Sequence, residues 1–317
     1  MKVMAVLGLV VICLSGCVAE DPYRVDDTVL GLVTQHCLNE DCAEKLEKLL
    51  NTGLPVDGLY SYFGPANPCD PARTLLHQAI LLGATNCVEA LIRHQADVAK
   101  RDSFGNTSLI YLAATDGPVS IRYADRLFET GLFDVNETNS YSRTPLVSAV
   151  RCGNVAYAKW LIDHGADFNT MSSFSFSDSR SPILYEAASA DRPMFDFFVE
   201  LPGVDFAASG DFCRSILECL APALPDYEQR FSVLVTRGAR YPVAYSGVGI
   251  LELNMIILGD CGKRMEFLCA YGPSESELTS ALEYADVNGF TRCTRVIKRH
   301  LAETKRKRNI EDRAECR

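Results

Sequence analysis

Apolar residues recur at helical spacing, in pairs of short stripes, along most of this chain. The clearest pair lies in residues 143–169, where the first stripe is Leu146, Ala149 and Val150 and the second is Ala158, Leu161 and Ile162. Helices of only two or three turns are marginal on their own in water, so each pair needs neighbouring copies to cover its apolar face. The pattern therefore predicts a stack of helical hairpins.

Cap and turn residues place the ends of these two helices. Thr144 suits the N-cap, because its hydroxyl can accept a hydrogen bond from a first-turn amide, and Pro145 suits the first helical position. Gly153 can adopt the left-handed conformation that ends a helix, and His164-Gly165 is expected to end the second helix. The stretch is predicted to fold as helix, turn, helix.

Copies of this opening recur at nearly constant intervals. They begin at Thr74, Thr107, Thr144, Ser181, Arg214 and Val248, which are 33, 37, 37, 33 and 34 residues apart. The copy at 74–79 reads TLLHQA, and a repeat of about 33 residues that opens T-P-L-H-x-A resembles the ankyrin repeat. The resemblance covers about residues 28–301, although the later copies are eroded and only His77 keeps the motif histidine. It implies an all-α fold: an ankyrin-type solenoid of helix-turn-helix repeats with short hairpin-like fingers.

We expect one elongated domain, because each repeat of such a stack contacts only its neighbours. The predicted boundaries are 1–16 for a lipoprotein signal peptide, 17–27 for a lipidated tether, 28–303 for about eight helical hairpins including caps, and 304–317 for a charged C-terminal tail. Two loops are longer than a repeat needs, residues 54–73 and the finger at 170–180.

The first residues read MKVMAVLGLVVICLSGC, a short basic start followed by an apolar run too short to span a membrane. The end of this run, LSGC, resembles the bacterial lipobox, in which the cysteine, here Cys17, is lipidated and becomes the new N-terminus. Val18 at the next position resembles a signal for outer-membrane sorting. The resemblance implies an outer-membrane lipoprotein that faces the periplasm. The alternative is an ordinary signal peptide with chance cysteines.

Charge narrows the class of partner. The chain has 31 Lys and Arg against 41 Asp and Glu, a formal net charge of −10. Nucleic acid is not an expected partner, because general binding to it depends on positive charge. A basic protein partner would associate faster with an acidic surface, although the simpler interpretation is that the charge serves solubility. The basic run at 305–308 is short and is expected to be solvated.

Thirteen cysteines fit an oxidising compartment. Three pairs could form disulfides: Cys37 with Cys42, Cys69 with Cys87, and Cys261 with Cys269. Cys219 falls at the small buried position of a first helix and is expected to remain a thiol. A zinc site is a weak alternative, because Cys37 and Cys42 have no second pair of ligands nearby.

The sequence holds no motif for catalysis or cofactor binding. It contains no G-x-S-x-G, no H-E-x-x-H, no phosphate loop and no Rossmann glycine pattern. His94, His164 and His300 come at the ends of second helices, where a partial positive charge suits the helix dipole. We therefore predict no enzymatic activity, no cofactor and no metal site.

Aromatic residues stand about three positions before successive repeat openings, where the fingers project. Exposed aromatic residues in register are candidates for an interface. The alternative is that each ring packs onto the next finger and holds the stack together. With nearby polar residues, the predicted protein-binding residues are Asp102, Phe104, Asn106, Tyr141, Arg143, Phe176, Asp178, Arg180, Phe212 and Tyr245.

The pattern and the resemblance together favour a monomeric protein-binding module anchored in the cell envelope. The most specific hypothesis is an immunity or inhibitor protein, whose fingers and concave face occlude a toxin, an effector or an envelope enzyme. The alternative is a structural scaffold or maturation factor for envelope or periplasmic proteins, which would bind several partners more weakly.

Overall fold

Helices dominate the computed structural model, which describes residues 40–60, 72–173, 180–210, 215–239, 251, 254–255 and 258–315. In chain order they are α1 (Glu40–Asn51), α2 (Leu75–Leu81), α3 (Thr85–Arg93), α4 (Ser108–Leu112), α5 (Gly117–Phe128), α6 (Pro145–Cys152), α7 (Val155–Asp163), α8 (Ile183–Ser189), α9 (Arg192–Glu200), α10 (Ile216–Cys219), α11 (Tyr227–Thr236), α12 (Gly262–Cys269), α13 (Glu275–Val287) and α14 (Thr291–Glu315). Two short strands, β1 (Met171–Ser173) and β2 (Arg180–Pro182), flank the enlarged finger in the sequence. The predicted all-α class of helix-turn-helix repeats is confirmed.

The described residues fall into two compact units. The first unit contains the described residues from Glu40 to Ser173, together with residues 190–197. The second unit contains residues 180–189 and the described residues from Phe198 onward. The predicted signal peptide and tether lie outside the described residues. The segment predicted as a charged tail continues α14, which runs without a break to Glu315.

Two layers of helices form the first unit. The first helices of successive repeats, α2, α4 and α6, lie side by side, and each packs against its own second helix. Among the second helices, α1 packs on α3 and α5 packs on α7. Leu76, Leu109 and Leu146 stand two residues after their repeat openings and are at most 1% exposed. Because the helices that carry these leucines lie side by side, the repeated position forms a continuous core. Burial of each leucine contributes about 1.5–3 kcal/mol.

The caps of the central repeat are those that the sequence predicts. The Thr144 hydroxyl accepts a hydrogen bond from the Val147 amide at 3.3 Å, and Pro145 is the first residue of α6. Gly153 ends α6 with a φ of 70°, in the left-handed region that favours glycine. These local signals are confirmed because each acts within four residues of the helix end.

Buried tyrosines join one hairpin to the one before it. The Tyr157 hydroxyl donates to the Leu109 carbonyl at 2.8 Å, and the Tyr123 hydroxyl donates to the Thr85 carbonyl at 3.1 Å. Both side chains are at most 1% exposed. Because a buried phenol needs a hydrogen-bond partner, each ring fixes the spacing between neighbouring repeats as well as filling the core.

The first complete repeat opens with a capping box in which a histidine replaces the usual Glu or Gln. The Thr74 hydroxyl accepts from the His77 amide at 3.2 Å, and His77 Nδ1 accepts from the Thr74 amide at 3.4 Å. The His77 ring lies 4.8 Å from the Tyr111 ring and is buried. Burial, with a smaller contribution from Arg73, lowers the pKa of His77 from 6.5 to about 3.

Because of this low pKa, we expect the folded protein to become less stable in acid. Between pH 6.5 and 3 the unfolded chain binds a proton at His77 and the folded chain does not, so the free energy of unfolding falls by about 1.4 kcal/mol per pH unit as pH decreases. Above pH 6.5 this contribution to the slope vanishes. Urea unfolding at pH 7.5 and 5.0 should show a loss about 2 kcal/mol smaller in His77→Gln than in the wild type. Equal losses in both proteins would contradict the assignment.

Helices of the second unit also pack in pairs. Helix α8 packs on α10, α10 on α11, and both α12 and α13 pack on α14. A capping box starts α13, where the Ser274 hydroxyl accepts from the Glu277 amide at 3.2 Å and the Glu277 carboxylate accepts from the Ser274 amide at 2.7 Å. Arg230 on α11 is 3% exposed and forms an ion pair with Asp226, which is half-buried.

Candidate functional site

Two neighbouring fingers form the candidate site, and a buried carboxylate holds the first of them together. Asp102 Oδ1 accepts hydrogen bonds from the amides of Phe104 at 2.8 Å and Asn106 at 2.7 Å. Asp102 Oδ2 accepts from the Asn106 side-chain amide at 2.7 Å and from the Tyr111 hydroxyl. The Asp102 side chain is 6% exposed. It supports the finger from inside, which corrects the prediction that this carboxylate faces a partner.

The second finger repeats this design with an asparagine. Asn139 Oδ1 accepts from the amides of Tyr141 at 2.9 Å and Arg143 at 3.0 Å, as Asp102 does in the first finger. Asn139 Nδ2 donates to Asn106 Oδ1 at 2.7 Å and joins the two fingers directly. Asn139 was not among the residues predicted from the sequence. Its signal was present, because Asp102 and Asn139 both stand five residues before a repeat opening.

The predicted aromatic residues of these two fingers contact each other. The rings of Phe104 and Tyr141 meet edge to face, with centroids 5.7 Å apart and planes at 78°. The Arg143 guanidinium lies 5.7 Å from the Tyr141 ring centroid. All three residues are half-buried. The rings therefore pack on one another, as the alternative interpretation holds, and still keep part of their surface exposed.

Backbone contacts fix the spacing of the two fingers. The Ser140 amide donates to the Phe104 carbonyl at 2.9 Å. Arg101 crosses between the fingers, donating from Nη1 to the carbonyls of Gly105 at 2.8 Å and Thr138 at 2.9 Å. The Cβ that a larger residue would carry at Gly105 would come within 3.0 Å of the Ser140 side chain. The close approach and the φ of 75° at Gly105 together require glycine there.

We name the exposed parts of Phe104, Tyr141 and Arg143 the finger surface. Asn106 lies beside it and is occupied by its bonds to Asp102 and Asn139. The predicted residues Phe176, Asp178, Phe212 and Tyr245 lie outside the described residues. Arg180 is the first residue of β2, and only its backbone is described.

The predicted disulfide between Cys261 and Cys269 is wrong, because these residues mark opposite ends of one helix rather than the two sides of a turn. Cys261 is the N-cap of α12 and Cys269 is its last residue, and both are free thiols. Eight residues of helix separate their Cα atoms by roughly 12 Å, whereas a disulfide needs about 4.4–6.8 Å.

The other predicted pairs stay predictions. Cys87 is buried in α3, and its predicted partner Cys69 lies outside the described residues. Cys17 and Cys37 also lie outside them. Cys42 belongs to α1 and Cys219 to α10, where only the backbone is described.

Among the described residues, no group of three or more His, Cys, Asp and Glu side chains could hold a metal ion. Within the same ranges, no helix is both long enough and apolar enough to cross a membrane.

A shallow groove of about 270 Å³ between α1 and α3 is lined by Ala43, Glu44, Glu47, Asn86, Glu89 and Arg93. Arg93 pairs there with Glu47, and Glu89 pairs with Arg122 and Arg126, so surface ion pairs occupy these charged side chains of the groove.

Residues 76–172 match the family model for ankyrin repeats, in three copies. The chain contains ankyrin repeats in this segment. The matched residues include most of α2, all of α3–α7 and both fingers of the candidate site, so the finger surface is part of the matched repeats. Ankyrin repeats typically form protein–protein interaction modules, so the matched segment has the structure of such a module.

Relatives share the repeats over part of their length. The human protein "Ankyrin repeat and SOCS box protein 6" is 31% identical over 138 residues, which are 40% of this chain and 32% of that protein. Its counterpart from Pongo abelii is 30% identical over 138 residues. An ankyrin repeat protein of Acanthamoeba polyphaga mimivirus is 53% identical over 36 residues, which are 11% of this chain and 19% of that protein. The chain thus spans about a third or less of the length of these relatives.

Proposed function

We propose that this protein binds one protein partner through its finger surface. The observation that carries the proposal is the edge-to-face pair of Phe104 and Tyr141, held on two hydrogen-bonded fingers and still partly exposed. Aromatic and arginine side chains supply most hot spots at protein interfaces. A pair that is already ordered loses little side-chain entropy when a partner binds.

The chemistry of the surface points to a partner with a complementary apolar patch and an acceptor group. Phe104 and Tyr141 offer ring edges and faces, and Arg143 beside them offers guanidinium donors that suit a carboxylate. The net charge of −10 would in addition speed the approach of a partner that is basic overall. A basic protein with a local acidic and apolar patch would satisfy both requirements.

We further propose that the module is lipid-anchored at Cys17 in the periplasm and acts as an immunity or inhibitor protein. The support is the sequence LSGC at residues 14–17, directly after the apolar run of the signal. An anchored module would hold its partner at the envelope and occlude the active site of a toxin or an envelope enzyme.

Capture from envelope extract tests the binding proposal. Residues 18–317 are immobilised as the wild type, as Phe104→Ala/Tyr141→Ala, and as Phe128→Ala. The last is the matched control, because the Phe128 ring is also half-buried and also packs edge to face, on Trp160 at 5.6 Å. We expect one protein retained by the wild type and by Phe128→Ala and lost by the finger variant. Equal retention by all three would contradict the proposal, and several weakly held proteins would favour the scaffold alternative.

Labelling with a palmitate analogue tests the anchor. In Gram-negative cells that express the full chain, the wild type should incorporate the label and sediment with membranes. Cys17→Ser should lose the label, because the thiol that would carry the lipid is gone, whereas a multi-chain lipid anchor holds the wild type stably at the membrane. Cys13→Ser serves as the control, because that cysteine would be removed with the signal. Label retained by Cys17→Ser would overturn the anchor.

A further inference from the structure

Helix α14 starts against the turn that leads into α12. The Asp260 carboxylate accepts hydrogen bonds from the backbone amides of Arg292 at 2.8 Å and Cys293 at 2.9 Å. A Cβ added at Gly262 would lie 3.2 Å from the Cβ of Arg292. Because a carboxylate at a helix N-terminus satisfies otherwise unpaired amides, this contact is a fixed part of the fold. It brings residues 259–262 and 291–293 into direct contact.

Each of these two segments carries a cysteine. Cys293 is fully buried, and its thiol donates to the Gly259 carbonyl with an Sγ–O distance of 4.0 Å. The Cys261 amide also donates to that carbonyl, at 2.8 Å. The two residues therefore share one acceptor and lie side by side. Both are free thiols in the structure, and Cys261 is half-buried.

We propose that Cys261 and Cys293 are an oxidisable pair that forms a disulfide between α12 and α14. The proposal is independent of the partner-binding proposal. The disulfide would enclose α13 in a covalent loop and join the last hairpin of the chain to the repeat before it. A link of this kind restricts the unfolded chain, so oxidation would stabilise the C-terminal end of the second unit.

The reaction requires a disulfide oxidant, such as glutathione disulfide. The Cys261 thiolate attacks one glutathione sulfur, and the first molecule of glutathione leaves as its thiolate. The Cys293 thiol then loses its proton and attacks Cys261 Sγ, which expels the second glutathione. Two protein thiols become one disulfide, and one glutathione disulfide becomes two glutathione molecules.

The order of attack follows from the surroundings of the two thiols. Burial and the Asp260 carboxylate beside it raise the pKa of Cys293 to about 12, so this thiol forms the thiolate poorly. It is also shielded from a dissolved oxidant, whereas Cys261 is partly exposed. Cys261 therefore meets the oxidant first and Cys293 resolves the mixed disulfide. Cys269 is not expected to react with the oxidant first, because it is buried at the far end of α12.

Peptide mapping tests the pair, because trypsin separates the three cysteines of this region. Cys261 falls in the peptide 241–263, Cys269 in 265–292, and Cys293 in the tripeptide 293–295. The folded full-length chain is equilibrated in buffers of reduced and oxidised glutathione, alkylated, digested and analysed by mass spectrometry. We expect peptide 241–263 linked to 293–295 in oxidising buffer, released by reductant, while the peptide 265–292 stays alkylated.

Variants and a stability measurement complete the test. Cys269→Ser should keep the cross-link, and Cys261→Ser should abolish it without changing the helical circular dichroism. Oxidation should raise the urea midpoint of the wild type and of Cys269→Ser, but not that of Cys261→Ser. A link from 293–295 to 265–292 would overturn the proposal. So would full alkylation of Cys261 and Cys293, or glutathione retained on Cys261, in the most oxidising buffer.

Discussion

Replacing Arg230 with alanine is expected to lower the free energy of unfolding by about 3–5 kcal/mol. The Arg230 side chain is 3% exposed, and its Nε donates to both carboxylate oxygens of Asp226, at 3.0 and 2.9 Å. Its Nη1 also donates to the Ala188 carbonyl at 2.9 Å. The substitution would remove these donors together and leave a partly buried carboxylate without its guanidinium. Urea unfolding followed by circular dichroism measures the loss.

A second arginine in the chain provides the matched control. Arg192 also pairs through Nε with a carboxylate four positions away, Asp196, at 2.7 and 2.9 Å, but its side chain is 43% exposed and that of Asp196 is 47% exposed. An exposed pair contributes only about 0.3–0.5 kcal/mol, and the Arg192 guanidinium also lies 5.8 Å from the Phe195 ring centroid, so Arg192→Ala should lower stability by about 1 kcal/mol. Similar losses in the two variants would show that burial does not set the contribution of Arg230.

Asp102→Ala is expected to cost about 3 kcal/mol, the second largest loss that we predict for a single polar residue. Four donors converge on this carboxylate: the amides of Phe104 and Asn106, the Asn106 side chain and the Tyr111 hydroxyl. Alanine would leave these groups without their acceptor inside the finger. Because Asn106 also holds Asn139, the second finger should loosen too. Hydrogen exchange of the amides of residues 102–106 and 139–143 would measure directly whether both fingers lose order.

Asp134 is the control for Asp102. It is exposed, and its carboxylate accepts a local hydrogen bond from the Asn136 amide at 2.8 Å. Asp134→Ala should therefore cost less than about 1 kcal/mol and leave the exchange of both fingers unchanged. If Asp102→Ala were as mild as Asp134→Ala, the buried carboxylate would not be what orders the fingers.

Local signals in the sequence predicted the repeats well. Thr144, Pro145 and Gly153 act on the backbone within a turn of their own position, so their roles could be assigned without knowing what packs around them. The intervals between repeat openings then indicated which segments would be neighbours. That is why the contact between Phe104 and Tyr141, 37 residues apart, was among the alternatives that the sequence offered.

Contacts that depend on three-dimensional proximity were beyond the sequence. In the sequence, Asp102 looks like an ordinary turn residue. Only the structure shows that it is buried and accepts a hydrogen bond from the Tyr111 hydroxyl. The cysteines show the same limit. Cys261 and Cys269 are close in sequence but at opposite ends of a helix, whereas Cys293 reaches Cys261 because Asp260 holds the start of α14 against α12. Sequence distance is a poor guide where a helix separates the two residues.

The affinity of the captured partner for the finger variants tests the central claim most directly. Isothermal titration of that partner would compare the wild type, Phe104→Ala/Tyr141→Ala and Phe128→Ala, after circular dichroism has shown all three folded. Loss of two hot-spot rings at about 1.5 kcal/mol each predicts a Kd roughly 100-fold weaker for the finger variant, and a Kd within about 3-fold of wild type for the control. An unchanged Kd for the finger variant, or equal weakening in both, would contradict recognition through the fingers.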